Sequence, residues 1–314
     1  MLVLSQAEVE RLLDLDELVD ALAEAFVDLS SGRASMPQRV AAFSGQGFLS
    51  AMPAYLPSAN ILETKLVTLF EGNAGTELPT HQAAIAVVDP DTGAVTALMD
   101  GTHITATRTA AASALSAREL AREDARVLAI CGTGVQAHTH ARAVARMREF
   151  DEIRVGGRDR AKAEQVAASV DGAVAVGSFE EAVRGADVVC ATTHATEPVV
   201  RLEWLDPGAH VISVGFNPEG RELEPELVAA ARVVVESRAS AFAPFPIGSN
   251  DLSGIDPDTV AELGEVLAGS QPGRSDAEQI TVYKSVGVGV MDAAAAALVL
   301  RAAQGKDVGV KVEL

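Results

Sequence analysis

Cysteine is nearly missing from this chain, with two among 314 residues. Cys131 and Cys190 each close a short apolar run, and neither stands at a metal-ligand spacing. They read as small core residues in a reducing compartment, not as disulfide partners or metal ligands. Lysine is scarce as well: Lys65, Lys162, Lys284, Lys306 and Lys311 are five among 25 basic residues, set against 44 acidic ones. The resulting net charge of −19 excludes a general basic patch for nucleic acid or an anionic membrane surface. No run approaches the roughly 18 consecutive apolar residues of a membrane span. Residues 1–13 carry acids where a secretory leader carries lysine and arginine, so a cytoplasmic protein is expected. The histidines, His103, His138, His140, His194 and His210 among them, show no ligand spacing, and no metal is expected.

What is present is a hydrophobic share of 48%, ample for a packed core in one large domain or two ordinary ones. Ser5 and Glu8 have capping-box form, and a second helix is expected from about residue 16 to 32, with Val19, Leu22, Phe26 and Leu29 as its core stripe. Residues 48–52, 61–70, 82–89 and 94–99 read as strands, the last two joined by a turn at 90–93. This predicts a mostly antiparallel sheet. An alanine-rich helix follows at about 105–120.

The next stretch organises the rest. Residues 127–130 form an apolar run that reads as a buried strand. Gly132, Gly134 and Ala137 then make a Gly-x-Gly-x-x-Ala turn into a helix, where unpaired backbone N–H groups stabilise a dinucleotide pyrophosphate. Strand candidates at 152–157, 174–176, 187–193, 210–216 and 232–236 alternate with helical segments such as 161–169 and 178–184. Such alternation builds a parallel sheet covered on both faces, here a Rossmann domain of five or six strands. Residues 244–248 read as a surface loop. A helix at 290–303 and a short strand at 308–312 are expected to return to the first domain.

The second strand of this domain decides the nucleotide. An acid at its end binds the ribose 2′-hydroxyl of NAD, but here that position is Gly157. Arg158 and Arg160 follow and are placed to pair with a 2′-phosphate, so NADP is the first expectation. Asp159 keeps NAD as the alternative. Gly132, Thr133, Gly134, Val135 and Gln136, with Arg158, Asp159, Thr192 and Val214, are the expected cofactor contacts.

Before the glycine turn, Arg39, Lys65, His81 and Arg108 lie in apolar surroundings. A buried cation is costly without an anion beside it. Two arginines can clamp a carboxylate, and a lysine can donate a proton to a reacting nitrogen. Structural ion pairs for the arginines, a snorkelling edge lysine and a satisfied core histidine remain the alternatives.

The runs Glu63-Thr64-Lys65, Thr80-His81-Gln82, Met99-Asp100-Gly101 and Thr105-Ala106-Thr107-Arg108-Thr109-Ala110-Ala111 resemble the ornithine cyclodeaminase/mu-crystallin family. Cys131-Gly132-Thr133-Gly134-Val135-Gln136-Ala137 is similar to its cofactor loop, and Lys284-Ser285-Val286-Gly287 with Asp292 to its closing segment. The resemblance runs through nearly the whole chain. It implies an α/β protein: a Rossmann domain, residues 116–289, inserted into a mixed α+β substrate-binding and dimerisation domain, residues 1–115 with 290–314. It further implies a homodimer, with Arg39 and Arg108 on a substrate carboxylate and Lys65 at the substrate nitrogen or its water. Cyclodeaminases of the family carry an aspartate after the fifth Rossmann strand, where this chain has Asn217. An amide takes no proton at neutral pH, which turns the expectation away from ammonia release. The resemblance therefore points to an NAD(P)H-dependent oxidoreductase of a small imino or amino acid, a cyclic ketimine such as pyrroline-2-carboxylate or the alanine/pyruvate pair. Ornithine or lysine cyclodeaminase is the alternative, and a non-catalytic nucleotide-binding protein the third.

Overall fold

The computed structural model describes residues 1–313. In chain order the strands are β1 (Leu2–Leu4), β2 (Val40–Phe43), β3 (Phe48–Leu56), β4 (Ile61–Leu69), β5 (His81–Val88), β6 (Val95–Asp100), β7 (Val127–Cys131), β8 (Glu152–Gly156), β9 (Ala173–Ala175), β10 (Val188–Ala191), β11 (His210–Ser213), β12 (Arg232–Val235), β13 (Ala261–Glu262), β14 (Thr281–Lys284) and β15 (Val310–Lys311). The helices are α1 (Gln6–Leu12), α2 (Leu15–Ser30), α3 (Thr102–Leu120), α4 (Val135–Ala145), α5 (Arg160–Ala167), α6 (Phe179–Val183), α7 (Pro225–Ala230), α8 (Arg238–Ala241), α9 (Leu263–Leu267) and α10 (Gly289–Ala303). They divide into two compact units, residues 1–108 with 287–314 and residues 109–286.

The first unit is built on a seven-stranded sheet in the order β15-β1-β6-β5-β4-β3-β2. Its pairs are antiparallel except β1 with β6. Alternation along β4 buries Ile61, Glu63, Lys65 and Val67 on one face. Helix α10 packs on β3 and β4. Its first residue is glycine for a steric reason, since a Cβ on Gly289 would stand 3.1 Å from that of Ala54. Strand β3 runs on through Pro53, beyond the expected end at Met52. Its partner β2 stops opposite Ala51, so the missing N–H of Pro53 falls where β3 is paired by β4 alone within the sheet. Helix α2 starts at Leu15, one residue before the expected start, because Asp14 caps it, its carboxylate accepting from the N–H groups of Asp16 and Glu17 at 2.9 Å. Val19, Leu22 and Phe26 of its stripe are buried, and Leu29 is half-buried.

The second unit carries an eight-stranded parallel sheet in the order β13-β12-β14-β11-β10-β7-β8-β9. The expected five or six strands were too few. Strand β13 is two residues long, below any readable period. Strand β14 is central and buried yet contains Lys284, a charge that only a buried partner makes tolerable. Cys131 and Cys190 are free thiols buried in β7 and β10. Among the described residues no helix is long and apolar enough to cross a membrane, and no His, Cys, Asp or Glu group could hold a metal.

Candidate functional site

Lys65 occupies the middle of β4, flanked in register by Met52 of β3 and Ile85 of β5. It is 1% exposed, and its Nζ faces Asp292 on α10, 3.0 Å from Oδ1 and 2.9 Å from Oδ2. Arg108, in α3, donates from Nε to the same Oδ1 at 3.2 Å and lies 3.7 Å from Met291 Sδ. One buried carboxylate thus serves two buried cations, the arrangement that makes either charge tolerable away from water. Thr105 Oγ1 completes the reach of Lys65 at 3.4 Å and is itself held by the Gly101 carbonyl at 2.7 Å.

Gly287 brings the second arginine in. Its carbonyl accepts from Arg39 Nη2 at 2.5 Å. Its backbone is left-handed at φ +73°, and a Cβ there would stand 2.7 Å from both Nη atoms of Arg108. A side chain would therefore be strained in the backbone and would displace a guanidinium. Arg39, Lys65, Arg108 and Asp292 form one cluster, in which Lys65 and Arg108 share the Asp292 carboxylate. Burial pushes the Lys65 ammonium down to about 8; Asp292 opposes that shift, while Arg108 and Arg39 add to it. Asp292 itself is held below the usual carboxylate range by Lys65 and Arg108 against its own burial. His81, at the start of β5, is pushed to about 4 by burial and then by Lys65 and Arg108, so its imidazole is neutral at pH 7. Glu63 is buried on the same face of β4 as Lys65.

In the second unit the glycine turn lies at the carboxyl end of β7, between β10 and β8. Gly132 has φ +138°, and a Cβ on it would strike Thr192, whose Oγ1 donates to the Cys131 carbonyl at 3.1 Å. Gly134 caps α4 without a side chain and has open space where its Cβ would be. The result is a narrow cradle against an open helix start, which fits a dinucleotide pyrophosphate. Thr133 is half-buried and lies against Gly157, where a Cβ would meet its Cγ2. Val135 is 69% exposed, and Gln136 Oε1 is buried without a hydrogen-bond partner. The N–H of Val214 is spent on the Ala191 carbonyl at the ends of β10 and β11.

After β8, Asp159 caps α5 by accepting from Lys162 N at 3.2 Å. Arg160 is exposed and pairs with Glu164 one turn on at 3.0 Å. Arg158 is exposed and, among the described residues, has no hydrogen-bond or ion-pair partner. Asn217 lies in this second unit, whereas Lys65 belongs to the first. Its Oδ1 accepts from Glu219 N at 2.9 Å, closing the turn around Pro218.

Three buried residues that shape this unit had no expected role. Glu222 accepts from Thr193 N at 2.5 Å, and from Thr193 Oγ1, Ser213 Oγ and Gly215 N at 2.7 Å each. Asp251 accepts from the N–H groups of Glu222 and Leu223 and pairs with Lys284 at 2.9 Å. Lys284 in turn donates to Ser213 Oγ at 2.9 Å and the Gly215 carbonyl at 2.8 Å. The network fixes the loops that leave β10 and β11. Lys284, one of five lysines in the chain and part of the closing segment that resembles the family, was its readable signal.

Residues 1–307 match the model of the ornithine cyclodeaminase/mu-crystallin family. The ketimine reductase mu-crystallin of Mus musculus is 45% identical over 256 residues, covering 81% of this chain and 80% of the relative. A solved structure of Thermococcus litoralis Δ1-pyrroline-2-carboxylate reductase, in complex with NADH and L-proline, superposes with a TM-score of 0.93 at 35% identity, covering 99% of this chain and 100% of the other. An archaeal alanine dehydrogenase dimer with bound NAD gives a TM-score of 0.93 at 33% identity, with coverage of 100% and 99%.

Proposed function

The chain belongs to the ornithine cyclodeaminase/mu-crystallin family, and we propose that it acts as an NAD(P)H-dependent oxidoreductase on the C=N/CH–NH bond of a small imino or amino acid. The observation that carries this reading is the buried Lys65–Asp292–Arg108 cluster with Arg39 seated on Gly287. Two guanidinium groups beside a lysine suit a ligand with a carboxylate. A carboxylate between Arg39 and Arg108 would be held by planar, two-pronged donors. Lys65 then faces the substrate nitrogen and gives it a proton, and Asp292 keeps the ammonium charged and aimed. An imine carbon whose nitrogen is protonated is the better hydride acceptor. The nicotinamide, when bound, supplies that hydride or takes it back in the oxidative direction. Neutral His81 offers a hydrogen bond at this site and no proton at neutral pH.

The cofactor is a nicotinamide dinucleotide, and we favour its phosphorylated form, with NAD as the alternative. Gly157 leaves no acid at the end of β8, Asp159 is turned to its own helix, and Arg158 is free to pair with a 2′-phosphate. A homodimer accounts for Val40, Leu49 and Leu66, which stand 66%, 43% and 40% exposed on β2, β3 and β4.

The test is a panel of cyclic ketimines, pyruvate with ammonia, and ornithine, each with both nucleotides, on the wild type and Lys65→Ala. Nicotinamide oxidation with an imine, lost in the variant while nucleotide binding persists, is expected. Ammonia release from ornithine with no net change in nicotinamide, or binding without turnover of any compound, would overturn the assignment.

A further inference from the structure

Glu63 takes no part in the ion pairs described above. It is 2% exposed, and neither carboxyl oxygen has a hydrogen-bond partner. It lies two residues before Lys65 on β4, so both side chains leave the same face of the strand. In register it is flanked by Ala54 of β3 and Val87 of β5, with Met52, Leu56 and Ile85 as their buried neighbours on that face. The charged and titratable groups around it are Lys65 on its own strand and Asp292 on α10, with Arg108 beyond Asp292 and His81 at the far end of β5. Strand β3 presents no ionisable side chain to this face. A carboxylate without a donor in such surroundings is strongly disfavoured. Burial first, and then the charge of Asp292, push the Glu63 carboxyl well above its ordinary range, with Lys65 pulling the other way. Glu63 is thus a buried carboxyl group beside Lys65 whose protonated form its surroundings favour.

We propose that Glu63 is a proton store for Lys65, a positioning residue for the proton that the reaction consumes. This rests on the reading of Lys65 as the donor to the substrate nitrogen. When the C=N carbon accepts a hydride, an N–H bond of Lys65 breaks and a new N–H bond forms on the substrate, leaving a neutral amine. The O–H bond of Glu63 then breaks, its proton forms an N–H bond at Lys65 Nζ, and its electron pair stays as the carboxylate. The ammonium so restored and the new carboxylate stabilise each other, and water returns a proton to Glu63 before the next turnover. Asp292 cannot serve this way, because its contacts with Lys65 and Arg108 keep it ionised.

Glu63→Gln keeps the shape and neutrality of the acid and removes the transferable proton. Its nucleotide binding is expected to match wild type, while the high-pH limb of kcat moves down by about one pH unit, because the amide cannot give up a proton and so never forms the carboxylate that would hold the Lys65 ammonium. Glu63→Asp is expected to return the limb toward wild type. Infrared difference spectra of wild type minus Glu63→Gln at neutral pH are expected to show the C=O stretch of a protonated carboxyl. That reading needs no turnover, so it separates failure of this proposal from failure of the assigned reaction. Superimposable pH profiles for wild type and Glu63→Gln would overturn the proposal, as would a difference spectrum showing an ionised carboxylate. Should Glu63→Gln not fold, the Glu63→Asp profile and the wild-type carboxyl band followed across pH decide it by the same criteria.

Discussion

Replacing Asp292 by asparagine removes the single ionised carboxylate that Lys65 and Arg108 share, at 2.9 Å and 3.2 Å. At ~3 Å and an effective dielectric of ~20, one such pair is worth about 5 kcal/mol, or about 4 pK units. Even half of that takes Lys65 from about 8 to about 6. A lysine holds its proton below its pKa and loses it above. At pH 7 the protonated fraction therefore falls from about nine-tenths to about one-tenth. The expected result is a loss in kcat/KM of about tenfold at pH 7 from protonation alone, with activity recovering as the pH is lowered. Removing one partner of a buried pair also destabilises the fold by about 3–5 kcal/mol, so the melting temperature and nucleotide binding are measured beside the kinetics. The assay is kcat/KM against pH, followed by nicotinamide absorbance with a cyclic imine. A folded Asp292→Asn variant whose basic limb stays where the wild type has it would refute the role assigned to the carboxylate. In the wild type the same depression means that the unfolded chain binds the extra proton between about pH 8 and ~10.4. Stability contributed by Lys65 should accordingly rise through that window, which equilibrium unfolding at several pH values can check.

Arg158→Ala should lower kcat/KM with NADPH by about tenfold or more and leave NADH turnover unchanged, since a charge-assisted contact is worth ~1.5–3 kcal/mol. Equal losses with both nucleotides would remove Arg158 from 2′-phosphate recognition. Gly132→Ala forces a Cβ toward Thr192 at φ +138°. Nucleotide affinity in a fluorescence titration is expected to fall at least about fivefold, the lower end of ~1–3 kcal/mol of backbone strain and displacement. Wild-type affinity in that variant would mean the turn does not approach the pyrophosphate.

Local pattern determined a good deal. Period placed β3 to β6 and α2 within a few residues, because those elements bury one face more than the other, while α3 and α10 were placed as helix-favouring alanine-rich runs and are buried nearly all round. The glycine turn after β7 was legible because only glycine reaches φ +138° beside another strand. Lys65 and Arg108 stood out as cations in apolar runs, and their chemistry followed from residue type. Packing decided the rest. Nothing in the order of residues says that a carboxylate 227 positions later will sit under Lys65, or that Gly287 will seat both arginines. Strand order is likewise a tertiary fact: β14 is the last long strand of its sheet in sequence yet lies between β11 and β12, and its lysine is intelligible only once Asp251 is beside it. Protonation is the clearest case. Whether Lys65 holds its proton, and whether Glu63 keeps one, depends on desolvation and on charges that only the folded chain brings within a few ångströms.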